Sequence, residues 1–140
     1  MTDTRKHYHV VAAVIEVDGK VLCMQRGVTR YPYTSHMWEF PGGKIEPGET
    51  PQQALHRELL EEMNMDVAVH ELLGTVTHDY PDFTITLAAY RCTANDKAFV
   101  MREHAASCWL PWADLPSLTW CAADARLIEQ FREPREHDAP

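Results

Sequence analysis

Residues 43–65, GKIEPGETPQQALHRELLEEMNM, decide how this chain is read. The second half of the stretch is punctuated as one helix. Thr50 is a favourable N-cap, Pro51 suits the first helical position, and Gln53 completes a T-x-x-Q capping box. Ala54, Leu55, Leu59, Leu60 and Met63 are good helix formers. Asn64 tolerates the left-handed conformation that ends many helices, which predicts a helix over 51–63. At about 100° per residue, Glu61 and Glu62 fall on either side of Glu58, and Leu55, Leu59 and Met63 form an apolar stripe beside them. The carboxylates therefore border the buried face.

Most Glu-rich runs are solvated helix faces, and charge pattern alone is weak support for anything else. Here, however, like charges at i,i+3 and i,i+4 oppose the helix by a few tenths of a kcal/mol each, and Arg57 is the one cation among them. Crowded hard oxygen donors call for a cation, and Mg²⁺ or Mn²⁺ suits them better than zinc. Pro41-Gly42-Gly43, just upstream, lets backbone come close to a ligand. Metal-dependent chemistry on a charged substrate is the expectation.

The stretch resembles the Nudix box, G-x5-E-x7-R-E-U-x-E-E-x-G-U with U a bulky aliphatic residue. Gly43, Glu49, Arg57, Glu58, Leu59, Glu61, Glu62 and Met65 match it. Asn64 stands where the family has glycine, and asparagine also reaches positive φ. The segment from Met37 to Lys44, leading into Glu46 and Gly48, is similar to the MutT-like branch, as are Tyr80-Pro81-Asp82 and Ile85-Thr86-Leu87. The resemblance spans roughly residues 8 to 131. It implies hydrolysis of a nucleoside triphosphate to the monophosphate and pyrophosphate.

Bulk properties agree with a small enzyme. A chain of 140 residues is one domain by length, expected over residues 1–132, with a polar tail at 133–140 expected to be disordered. A net charge of −8 argues against a nucleic-acid polymer as partner, because phosphate contact needs clustered Lys and Arg. No apolar run is long enough to span a bilayer and the first residues lack a signal-peptide core, so no membrane partner and a cytoplasmic location are expected. Cys23, Cys92, Cys108 and Cys121 are scattered and read as free thiols rather than zinc ligands or a disulfide framework. The oligomeric state is open between monomer and homodimer.

The fold class is α/β. Strands are expected at His9 to Val17 and Lys20 to Arg26 around an Asp18-Gly19 hairpin turn, then at Val67 to His78, Phe83 to Cys92 and Ser107 to Leu110. Residues 27–36 form a loop, and a second helix covers Ala122 to Phe131. The resemblance sharpens this to an α/β/α sandwich with a mixed, partly curved sheet.

Site residues follow from the same resemblance. Glu58, Glu61 and Glu62, with the backbone carbonyl of Gly42, would hold Mg²⁺ (or Mn²⁺), and Arg57 would orient them by ion pairing. Glu49 would close that network, while Gly43 and Asn64 serve the backbone of the motif. Glu103 matches an outlying glutamate of MutT-like members that reaches the metal and helps activate water; the bland reading is an exposed loop residue. Lys44 and Arg26 are the best cations for phosphates, although Arg26 reads equally as a strand-end surface charge.

Base choice is expected to rest with Glu39, Phe40, Tyr80 and Asp124, with Trp120 either stacking on a base or serving the core. Asp124 lies where the guanine-reading members have asparagine. An ionised aspartate only accepts hydrogen bonds, which suits the amine of cytosine; the O6/N7–H pair of 8-oxoguanine suits asparagine better, unless the aspartate is protonated by burial. The expected substrate is thus (d)CTP or a modified cytosine nucleotide. The alternatives are 8-oxo-dGTP and, in another class, a non-catalytic nucleotide-binding domain, since fold does not fix function.

Overall fold

The run VVAAVI at Val10–Ile15 is apolar at every position, the pattern of a strand covered on both faces. In the computed structural model, which describes residues 6–132, it is the middle of β1 (Lys6–Val17). Ala12 and Val14 point into one core and Val11, Ala13 and Ile15 into the other. β6 (Phe83–Thr93) runs parallel to β1 along its whole length, from Lys6 opposite Phe83 to Glu16 opposite Thr93. β5 (Ala68–Asp79) lies antiparallel on the far side of β6, with register shifts between Val69 and Gly74 that bend the pair.

The other edge of β1 is divided, and that division makes the site. Asp18 (φ 53°) and Gly19 (φ 75°) form the hairpin turn to β2 (Lys20–Gln25). β2 pairs with β1 only at Glu16–Val21 and Val17–Lys20 before diverging, while β7 (Ala106–Pro111) pairs with its other edge along the whole strand, from Lys20–Pro111 to Gln25–Ala106. The released edge of β1 is taken by β4 (Gly42–Lys44), which sets Gly43 opposite Val11 and Gly42 opposite Ala12. β3 (Trp38–Glu39) pairs with the end of β2. The resulting sheet is mixed, open and seven-stranded.

α1 (Pro51–Met63) starts as its sequence requires. The Thr50 side chain accepts from the Gln53 amide at 3.1 Å, and the Gln53 side chain accepts from the Thr50 amide at 2.9 Å. It stops at Asn64 (φ 50°, ψ 39°), whose N–H and that of Met65 return to the Leu60 and Leu59 carbonyls. Ala54, Leu55, Leu59 and Met63 cover one face of the sheet. α2 (Ala122–Arg132) covers the other through Ala123, Leu127, Ile128 and Phe131. This is the expected α/β/α sandwich.

Element ends differ from the expected ones by one to three residues. β3, β4 and a 3-10 turn at Trp112–Ser117 lack a local pattern, being two, three and six residues long. They exist because partners distant in sequence hold them. The four cysteines are free thiols, with Cys23 opposite Cys108 across β2 and β7. Among the described residues no helix is long and apolar enough to cross a membrane. The tail at 133–140 lies outside the described residues.

Candidate active site

The divergence of β1 and β2 opens two adjoining cavities. One, of about 390 Å³, has walls of Tyr8, Tyr31, Phe40, Tyr80 and Phe83, with Asp124 and Cys121 at its base. The other, of about 660 Å³, is lined by Glu58, Glu62, Glu103 and His104. Arg26, Arg30, Glu39, Gly42, Gly43 and Lys44 line both. An aromatic chamber thus joins an acidic one across a partly cationic threshold.

The two glycines at the threshold are required by space rather than by φ. A Cβ on Gly42 would collide with the Val11 carbonyl on β1. A Cβ on Gly43 would fall 2.7 Å from each carboxylate oxygen of Glu58. The glycine pair therefore lets β4 join β1 while the Glu58 carboxylate lies directly on the backbone.

Arg57 organises the acidic wall. Its Nε and Nη2 donate to the two oxygens of Glu49 at 2.6 and 2.9 Å, and its Nη1 donates to Glu58 at 3.0 Å. Nη2 also donates to the Lys44 carbonyl at 3.2 Å, tying α1 to β4. The Glu49 carboxyl is held down at about 2, chiefly by these Arg57 hydrogen bonds. Glu49 directly precedes the Thr50 cap, so its reach to Arg57 closes the network expected of it.

Glu62 behaves oppositely. Burial first, and then contact with Glu58 and repulsion from Glu58 and Glu103, push its carboxyl up to about 8. Glu58, Glu62 and Glu103 are therefore the carboxylates that the fold gathers. Glu61 does not line this cavity; its mostly exposed carboxylate sits 3.4 Å from Arg57. Among the described residues, no three acidic, His or Cys side chains are drawn together at metal-ligating spacing.

Glu39 is the junction between chambers. Its Oε1 accepts from Arg26 Nη1 and its Oε2 from His104 Nε2, each at 2.9 Å. Among the described residues, Arg26 Nε is a buried nitrogen without a hydrogen-bond partner, and the side chain lines both cavities. Lys44 Nζ stands 4.3 Å from the centre of the Tyr8 ring. Asp124 is buried, and its Oδ2 accepts from the Phe40 amide at 3.1 Å. Burial, and then the Glu39 carboxylate, push its carboxyl well above the usual carboxylate range. The Tyr80 hydroxyl accepts from the Ala123 amide, fixing the start of α2 against the chamber.

Trp120 serves the core. Its Nε1 donates to the Leu115 carbonyl at 2.7 Å and its ring leans on Phe40, outside both cavities. Sequence reasoning missed Tyr8, Tyr31, Phe83 and Arg30. Tyr8 had a signal, since it shares the β1 face of Val10 and Ala12; the loop residue Tyr31 had none.

The family model for the NUDIX domain matches residues 5–131, which is nearly the whole chain. The chain belongs to the Nudix family. An 8-oxo-dGTP diphosphatase of Proteus vulgaris is 48% identical over 93 residues, covering 64% of this chain and 79% of that one. A CTP pyrophosphohydrolase of Escherichia coli is 35% identical over 126 residues, 90% of this chain and 92% of that one. The solution structure of the E. coli ORF135 protein superposes with a TM-score of 0.76 at 35% identity, covering 91% and 90% of the two chains. This chain is a Nudix hydrolase, a pyrophosphohydrolase of the MutT-like kind. Nudix hydrolases act on nucleotides and generally use divalent metal ions.

Proposed function

We propose that this Nudix hydrolase converts (d)CTP or a modified cytosine nucleotide, with Mg²⁺, into the monophosphate and pyrophosphate. The observation that carries the reading is the joined pair of chambers, aromatic on one side and acidic on the other, with Arg26, Lys44 and Glu39 between them. A base stacks among Tyr8, Tyr80 and Phe83, and the triphosphate crosses the Gly42-Gly43 threshold toward the carboxylates. The buried, unpaired Arg26 Nε and the Lys44 ammonium supply positive charge along that path.

A divalent cation fits the donor set. Glu58 lies against a backbone without a Cβ, and burial, together with contact with Glu58 and the charges of Glu58 and Glu103, raises the Glu62 carboxyl to about 8. Glu58, Glu62 and Glu103 with the Gly42 carbonyl would hold the ion, and Glu61 would join them on leaving its long contact with Arg57. When bound, Mg²⁺ neutralises the polyphosphate and lowers the pKa of a coordinated water. Arg57, anchored by Glu49, keeps Glu58 aimed at the cavity. Glu103 faces the cleft from the opposite side and accepts the proton of the attacking water.

Asp124 and Glu39 read the base. Burial raises the Asp124 carboxyl, and in its protonated form, with Oδ2 taken by the Phe40 amide, it would present an O–H donor, while Glu39 retains lone pairs as an acceptor. Donor beside acceptor matches N3 and the amine of cytosine. The same pair matches O6 and N7–H of 8-oxoguanine, and the relative from Proteus vulgaris is named for that substrate. 8-oxo-dGTP is therefore the second reading. Incubation with a panel of nucleotides and Mg²⁺ tests both: pyrophosphate and a monophosphate are expected, fastest from the cytosine set. Release of orthophosphate, or no product from any nucleotide, would remove the proposal.

A further inference from the structure

Glu103 is carried by residues 94–105, a segment between β6 and β7 that is neither helix nor strand. Such a stretch fixes a side chain only where tethers hold it. The Val100 amide donates to the Met63 carbonyl at 2.8 Å, at the end of α1. Arg102 Nη1 donates to the Glu61 carbonyl at 2.6 Å, where a cation also answers the negative end of the helix. His104 Nε2 meets Glu39 at 2.9 Å, and its side chain is only 10% exposed. The Ala105 amide then enters the sheet through the Gln25 carbonyl.

The residues flanking Glu103 thus reach opposite walls of the acidic cavity, Arg102 to α1 and His104 to β3. We infer that His104 is a positioning residue for hydrolysis, which clamps Glu103 over the Glu58–Glu62 pair by fastening its segment to Glu39. The inference rests on the reading of Glu103 as a working carboxylate of the cleft. Glu39 is the right anchor because it is already immobilised: Arg26 holds its other oxygen at 2.9 Å, and the pairing of Met24 with Glu39 fixes its backbone. Losing the His104 bond therefore removes the side-chain hold next to Glu103, leaving the Arg102 and Ala105 tethers, and keeps Glu39 in the base chamber.

The test is a double-mutant cycle on the full chain with its preferred nucleotide and Mg²⁺. His104→Phe keeps a ring and removes the donor; His104→Gln keeps a donor near the Nε2 position. His104→Phe is expected to lower kcat by about tenfold or more, the scale of lost support behind a metal ligand. KM for nucleotide should stay within about threefold, and the Mg²⁺ concentration for half-maximal rate should rise. His104→Gln should restore most of the rate. In a Glu103→Gln background His104→Phe should cost less than about twofold, because its target is already gone. Three results would overturn the inference: an equal loss from His104→Phe in both backgrounds, a loss confined to KM, or no rescue by glutamine. If Glu103→Gln alone leaves kcat intact, the reading of Glu103 fails and the inference falls with it. A melting curve separates misfolding of His104→Phe from loss of positioning, and His104→Gln keeps the test decisive if the phenylalanine variant does not fold.

Discussion

Arg57 and Glu49 form a two-pronged ion pair across the N-terminus of α1, with Nε and Nη2 on separate carboxylate oxygens at 2.6 and 2.9 Å. The pair joins the loop before the helix to the turn that carries Glu58. Its geometry uses the planar fork of a guanidinium, which an ammonium lacks. Arg57→Lys is therefore expected to lower turnover by about 10–100-fold, through loss of Glu58 orientation, while the chain stays folded. Glu49→Gln should do the same to a lesser degree. Steady-state rates beside circular dichroism check this; unchanged rates in both variants would show that the pair only braces the loop.

Glu62 and Glu61 differ in their surroundings, so their substitution should differ in kind. Glu62→Gln removes a carboxylate from the crowded cavity and should cut turnover by orders of magnitude without unfolding the protein. Glu61→Gln should also cut turnover, but by raising the Mg²⁺ requirement, because this side chain must first leave Arg57. Titration of rate against Mg²⁺ separates the two. Near-normal turnover in Glu62→Gln would remove the metal assignment.

The same crowding gives metal-free stability a definite pH dependence. The Glu62 carboxyl rises from 4.5 to about 8 on folding, so the folded chain binds more protons than the unfolded chain between those limits. The melting temperature in chelator should therefore fall as pH rises through that window, and Glu62→Gln should flatten the fall. Glu49, lowered to about 2, has the opposite sign: its contribution is present above 4.5 and is lost as pH falls toward 2. Added Mg²⁺ should raise the melting temperature most at the alkaline end. Melting in chelator that is flat across the window would show that neither burial nor the neighbouring Glu58 and Glu103 raises Glu62.

Gly42 and Gly43 separate fold from function within two residues. Gly42→Ala drives a methyl group into the Val11 carbonyl inside the sheet and should destabilise the chain severely. Gly43→Ala meets the mobile end of Glu58, which can rotate away. It should leave melting close to native while turnover drops by orders of magnitude. Equal melting losses in the two variants would contradict this division.

What could be read from the sequence was what the chain encodes locally. The Thr50–Gln53 box, the Asn64 stop and the Asp18-Gly19 turn are short-range instructions, and each stands where it was expected. The acidic cavity was legible because the residues of one helix supply Glu58 and Glu62 at fixed spacing. Glu103 was legible only through the family resemblance, and the position of Glu61 outside the cavity was not legible, because its contact with Arg57 depends on tertiary packing. The base chamber was least legible. Its walls come from β1, the 27–36 loop, the β5–β6 turn and α2, and nothing in their spacing announces that they meet.

Asp124 offers a base different hydrogen-bonding faces in its two protonation states. An ionised aspartate offers only acceptors, but burial and the neighbouring Glu39 push this carboxyl well above the usual carboxylate range, which favours its protonated form. In that form, with Oδ2 engaged by the Phe40 amide, the group facing the base is a donor. In Asp124→Asn the amide oxygen would take the Phe40 amide and the NH₂ would face the base, again as a donor. The substitution should therefore preserve the ranking of cytosine and 8-oxoguanine nucleotides and most of the activity at neutral pH. It should differ in its pH profile. The native enzyme loses its donor as pH rises through the raised pKa, so kcat/KM falls on the alkaline side, whereas the asparagine variant has no proton to lose there. Asp124→Ala should lose selectivity altogether. Profiles of kcat/KM against pH for the three chains decide the matter. A swing of Asp124→Asn toward 8-oxo-dGTP with loss of CTP hydrolysis would mean that the native carboxylate reads the base in its ionised form.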